Sequence, residues 1–214
     1  MLARNKDNWL LPKIAIACLL VGGVECAWAD EDRGPPEPSG GTSTRLSNEG
    51  TRELIAAANP HAAKAGAEIL AAGGSAIDAA IAAQLVLNLV EPQSSGIGGG
   101  GFLLYFDSKD NSLVSYDGRE TAPAAATPSM FLRSDGSTPG YIEALEGGRA
   151  VGVPGLLRML EMAHRASGKL PWPDLFIPAI ELADTGFFVS PRLNALVSRV
   201  STLARSVSAS RYFL

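Results

Sequence analysis

Asp117, Arg119 and Glu120 fall within four residues of one another in YDGRETAP, residues 116–123, directly after an apolar hairpin pattern. A guanidinium is the natural receptor for a carboxylate, because its planar fork offers two parallel charge-assisted hydrogen bonds. The same residues also fit an ordinary hairpin-end arginine paired with its neighbours, which is the commoner use of such a charge.

The other groups that could do chemistry are weaker. Gly98–Gly101 are four consecutive glycines before the apolar run FLLYF. They lack the terminal Gly-Lys-Ser/Thr of a phosphate loop, and they precede a strand rather than opening a helix. A steric purpose fits better, since four positions without a β-carbon let backbones close to distances other residues forbid. Ser94 and Ser95 lie in neither a Gly-x-Ser-x-Gly elbow nor a Ser-x-x-Lys pair, so they read as capping or turn serines. His61 and His164 fall in the first and last turns of predicted helices and have ordinary reasons to be there. Far apart in sequence, they give little support to a zinc site. No metal or other cofactor is implied.

The elements that must position these residues follow from local signals. Asn59 and Pro60 form an N-cap and first-turn pair, and Gly73 suits a left-handed stop, giving a first helix of about 12 residues. Ser75 and Asp78 have capping-box spacing at the head of AIDAAIAAQLVLNLV, a segment apolar on nearly every face and so a core helix over 76–90. FLLYFD and SLVSYDG, joined by the polar SKDN, predict a β-hairpin whose first strand is too apolar to be half-exposed. Downstream, PGLLRMLEMAHRASG has helix punctuation at both ends, PWPDLFIPAIELADTG reads as a helical pair interrupted by Pro178, and SPRLNALVSRVSTLA starts from a Ser190 cap. Helices, hairpin, then helices, with no regular strand–helix alternation, imply an α+β protein.

Composition narrows the function further. The net charge of −4, with no Lys/Arg cluster, argues against nucleic acid and against a polybasic membrane patch. Arg4, Lys6 and Lys13 precede the 11-residue apolar run IAIACLLVGGV and then AWA at Ala27–Ala29, the form of a cleaved signal peptide over 1–29. That run is too short for the ~20 residues of a spanning helix, so a secreted or periplasmic chain without a stable membrane anchor is expected. Cys18 and Cys26 fall within the segment to be removed, leaving no thiol for a disulfide or a Cys-type metal site. Residues 30–50 are rich in Pro, Gly and polar residues and read as a disordered leader, with the ordered domain over 51–214.

Together, NPHAAKAGAEILAAGGSAIDAAIAAQLVLNLVEPQSSGIGGGGFLLYF, YDGRETAPAAATP, GGRAVGVPGLLRMLEMAHR and GKLPWPDLFIPAIELADTGFFVSPRL resemble the N-terminal part of the large subunit of γ-glutamyltranspeptidases, from about residue 55 to the last. The resemblance implies a partial αββα sandwich of the N-terminal-nucleophile hydrolase type. It implies attack on the γ-glutamyl amide of glutathione or a related compound, through an acyl-enzyme, with transfer to water, an amino acid or a peptide. It also implies that Arg119 holds the substrate α-carboxylate and that Glu120 orients the site. The family's nucleophile opens a Thr-Thr-His-type motif in the small subunit, and no such motif occurs here: Thr42, Thr44 and Thr51 lie in or near the leader, and Thr121 follows the arginine. The expectation is a truncated precursor, inactive alone, with its core helix partly uncovered and a tendency to aggregate. The alternatives are a non-catalytic periplasmic module binding γ-glutamyl compounds or amino acids, and a large-subunit fragment acting in trans with a separate small subunit.

Overall fold

The computed structural model describes residues 49, 50 and 52–214. The signal segment 1–29 and nearly all of the 30–50 leader lie outside the described residues, as does Thr51.

The chain opens with an antiparallel helix pair, α1 (Pro60–Ala71) and α2 (Ala76–Val90). Asn59 caps α1 by accepting the His61 N–H, and Gly73 follows its end with φ +88°. Ser75 and Asp78 close a reciprocal capping box at the head of α2. Small residues let the pair approach closely: Ala62, Ala65 and Ala83 are buried, and a β-carbon on Gly66 would stand 3.1 Å from the Ala79 carbonyl oxygen of α2.

The hairpin follows, β1 (Phe102–Asp107) antiparallel to β2 (Ser112–Asp117), in the register Leu103 with Tyr116 and Phe106 with Leu113. After a long excursion carrying the short α3 (Tyr141–Leu145) come α4 (Leu156–Ser167), α5 (Ile177–Thr185), α6 (Pro191–Val197) and α7 (Val207–Phe213). The main core gathers Ile77, Ile81 and Leu85 of α2, Leu156, Met159 and Leu160 of α4, and Leu175. Leu103, Tyr105 and Tyr116 press one face of the hairpin onto it. The result is α+β: a helical layer packed on one face of a small antiparallel sheet.

Three expectations are corrected. The core helix over 76–90 is not uncovered: Ile77, Ile81, Leu85, Val86 and Val90 are all buried, because α1, α4 and α5 close around it. The open apolar surface lies instead on the hairpin. Phe102, Leu104, Phe106 and Leu113 share its outer face at 57–71% exposure, so β1 is half-exposed despite its apolar composition. No described residue packs on that face, and alternation across the pleat therefore leaves every second side chain open. Pro178, finally, does not interrupt a helix; it occupies the first turn of α5, where its missing N–H costs nothing.

Two buried carboxylates tie the helices together. Asp78 is fully buried, and its Oδ2 accepts from the N–H groups of Ser75 (2.8 Å), Lys169 (2.9 Å) and Leu170 (3.1 Å), fastening the start of α2 to the turn after α4. Burial pushes this carboxyl up, but those N–H bonds and the Ser75 hydroxyl outweigh it and hold Asp78 below the ordinary carboxylate range. Glu91, at the end of α2, accepts from Asn59 Nδ2 (3.0 Å), Gln93 Nε2 (2.6 Å) and Arg192 Nη1 (3.2 Å), joining the caps of α1 and α2 to α6.

Candidate functional site

Past Phe102 and Asp117 the hairpin ladder runs one step further, with Gly101 and Gly118 exchanging both backbone hydrogen bonds at 3.2 and 2.9 Å. The two chains then part. The glycine run turns to the head of α4, where the Gly99 carbonyl accepts from the N–H groups of Gly155 and Leu156, both at 3.2 Å. Helix α4 has no side-chain cap, so this carbonyl satisfies two of the donors that every helix start leaves open. The other chain continues through Arg119 and Glu120 to Thr121, which pairs antiparallel with Val153 through bonds of 3.3 and 2.8 Å.

Three backbones thus meet at one junction, and glycines line it from every side. A β-carbon on Gly118 would stand 2.6 Å from the Met159 β-carbon, and one on Gly152 would stand 2.9 Å from the Glu120 β-carbon. A β-carbon on Gly100 would meet the Gly118 carbonyl oxygen at 2.6 Å and the Glu120 nitrogen at 2.8 Å. The steric reading of the run holds at Gly100 and is weak at Gly99 and Gly101, where a β-carbon would meet its nearest neighbour at 3.3 Å. Gly98, with nothing within 4 Å of its β-position, has no such constraint.

The junction carries Arg119 and Glu120 to the rim of a cleft of about 390 Å³, also lined by Thr121, Phe131, Arg149 and Val151. The Asp117 carboxylate accepts from the Arg119 backbone N–H at 2.9 Å. It fixes the turn rather than the guanidinium. The Arg119 side chain is 72% exposed and only loosely held, with Nε 3.5 Å from Glu120 Oε2. Glu120 is half-buried, its carboxylate resting over Gly99 and Gly100. An exposed guanidinium on a fixed backbone, steadied by one carboxylate, leaves most of its donors directed at solvent.

The remaining candidates are occupied elsewhere. Ser95 is hydrogen-bonded with Gln84 and Asn88, and Ser94 accepts from Arg192 Nη2. Thr121 serves the bridge to Val153, while Thr42, Thr44 and Thr51 lie outside the described residues. His61 packs edge-on to Phe187, and His164 Nε2 lies 2.9 Å from the Leu170 carbonyl and 3.6 Å from Asp78 Oδ1.

Arg149 was not singled out from the sequence. Its signal was a lone charge between Gly147–Gly148 and the Gly152 and Gly155 that line the junction. Spacing alone does not say that this segment returns to Arg119, because the Thr121–Val153 bridge spans 32 residues.

Known proteins resemble this chain in sequence and fold. Residues 62–214 match the family model described as gamma-glutamyltranspeptidase. The glutathione hydrolase proenzyme of Bacillus subtilis strain 168 is 38% identical over 209 residues, covering 98% of this chain and 35% of that protein. The solved gamma-glutamyltranspeptidase of Pseudomonas nitroreducens, in complex with L-DON, superposes with a TM-score of 0.71 at 37% identity, covering 77% of this chain and 49% of that one. The Helicobacter pylori enzyme gives 0.72 at 32% identity, covering 79% and 48%. The chain therefore spans about a third of the curated relative's length and about half of the solved chains. With the family model matched over most of the sequence and the fold shared, the chain belongs to the γ-glutamyltranspeptidase family.

Proposed function

We propose that this chain supplies the α-carboxylate receptor of an exported γ-glutamyl transferase or glutathione hydrolase, with Arg119 as receptor and Glu120 holding its guanidinium. The observation that carries this is the Arg119 side chain itself: fixed at the backbone by Asp117, loosely paired with Glu120 at 3.5 Å, and open at the cleft rim. A carboxylate arriving there gains two parallel charge-assisted bonds without first breaking a strong internal pair. The reaction is acyl transfer: the γ-glutamyl amide is attacked, the amine leaves, and water or an amine takes the acyl group.

The nucleophile belongs to a separate small-subunit segment, released by cleavage of a precursor, in line with the proenzyme name of the Bacillus relative. The chain alone binds γ-glutamyl compounds and does not turn them over. An N-terminal threonine uses its own α-amine as base, which fits a cleft with no histidine among its described lining residues. The outer hairpin face of Phe102, Leu104, Phe106 and Leu113 supports assembly with that segment, in cis or in trans. A signal segment over 1–29 and its Ala27–Ala29 cleavage form support export. Among the described residues, no helix is long and apolar enough to cross a membrane.

Calorimetric titration of the chain with L-glutamate tests the receptor. Saturable heat that R119Q removes supports it, and equal affinity in both proteins refutes it. Assaying the chain with and without a co-expressed family small subunit tests the rest: glutamate release from glutathione by the chain alone contradicts the proposed division.

A further inference from the structure

Arg149 lies on the same cleft as Arg119. Its place is set by backbone geometry: Gly147 takes φ +87°, a tight turn over Gly148–Ala150 follows, and the Val151 N–H returns to the Gly148 carbonyl at 3.3 Å. The antiparallel bridge between Thr121 and Val153 then brings the Arg149 segment back beside the Arg119 strand. Arg119 precedes Thr121 by two residues and Arg149 precedes Val153 by four, so in antiparallel register they fall on opposite sides of the bridge. Both arginines line the cleft, with Glu120 beside Arg119.

The two differ from the neighbouring arginine. Arg133 is committed to Glu143, Ser137 and the Thr138 carbonyl, whereas no described carboxylate pairs with Arg149. The cleft thus holds two cations and one carboxylate, already beside Arg119; Arg149 also borders the adjoining cleft of Glu143 and Glu146, which pair with Arg133 and Arg205 instead. A ligand with a single carboxylate has a partner only at Arg119, and a second carboxylate offers one to Arg149.

We infer that Arg149 is a specificity-determining residue, favouring γ-glutamyl compounds whose far end carries a second carboxylate. The inference rests on the reading of Arg119 as receptor for the α-carboxylate. The bland role for Arg149, a solvated surface charge, makes the opposite statement: affinity is indifferent to that second carboxylate.

The test compares two ligands of near-equal size, γ-L-glutamylglycine and γ-L-glutamylethylamide, titrated into the 214-residue chain. Arg149 is exposed, so R149Q threatens no packing. Wild type is expected to favour the glycine compound by about fivefold at low salt, and less as salt rises. R149Q brings the two affinities together, and R119Q weakens both ligands. A preference that survives R149Q, or a wild type without preference, overturns the assignment of Arg149 while leaving Arg119 intact. Unchanged affinities in R119Q, or no binding of either ligand by wild type, overturn the Arg119 reading and this inference with it.

Discussion

Gly100 and Glu120 lie so close that a β-carbon on Gly100 would stand 2.5 Å from Glu120 Oε2. A flexible carboxylate could swing aside, but the Gly118 carbonyl oxygen and the Glu120 nitrogen, at 2.6 and 2.8 Å, are backbone atoms held by the junction. Gly100→Ala is therefore expected to cost about 1–3 kcal/mol, the usual range for overpacking, and to weaken L-glutamate binding by displacing Glu120. Gly98→Ala meets nothing within 4 Å and should stay within about 0.5 kcal/mol of wild type. Denaturant melts of the two variants side by side check this; equal losses would remove the steric explanation of the glycine run.

Asp78 gives the fold a defined acid sensitivity. Its carboxyl is held below the ordinary value in the folded chain, so its stabilisation is present at neutral pH, above the unfolded value of about 4, and is lost as pH falls through the folded value. Asp78→Asn, which keeps the shape and removes the charge, should cost about 2 kcal/mol at pH 7, and the gap to wild type should narrow toward pH 3. Thermal melts at the two pH values measure it, and a gap that widens on acidification contradicts the sign.

Glu91 joins three helices through Asn59 and Arg192. Glu91→Ala removes the buried acceptor that Asn59, Gln93 and Arg192 share, and should cost about 3 kcal/mol. Hydrogen exchange is expected to rise at the start of α1 and in α6 together. A rise confined to one of them would show that Glu91 does not couple the two.

The two faces of the hairpin should respond oppositely. Leu104→Thr on the outer face is expected to change stability by no more than about 0.5 kcal/mol and to reduce self-association. Leu103→Ala, on the face packed against the core, should cost about 2 kcal/mol. Sedimentation and denaturant midpoints separate the two effects.

What the sequence made legible follows the range of the interaction. The caps at Asn59, Ser75 and Ser190 and the stop at Gly73 were readable because each is completed within a few residues. The two strands of the hairpin were readable for the same reason, but the outward face of β1 was not, since an apolar run does not announce whether a second layer covers it. Asp78 was seen as a capping residue, while its bonds to Lys169 and Leu170, 91 and 92 residues away, depend on how α4 returns over α2. At the site, Arg119 and Glu120 stood out by adjacency. That Glu120 rests on Gly99 and Gly100, and that Arg149 reaches the same cleft, needed the folded junction.

The most direct test of Arg119 varies the ligand group and the residue together. L-Glutamate γ-methyl ester and its α-carboxamide counterpart differ only at the α-position, and both are titrated into wild type and R119Q. Wild type should favour the carboxylate by about tenfold, the scale of one lost charge-assisted contact, and R119Q should lose that discrimination. If R119Q discriminates between the two ligands as wild type does, the α-carboxylate is held elsewhere and Arg119 is not its receptor.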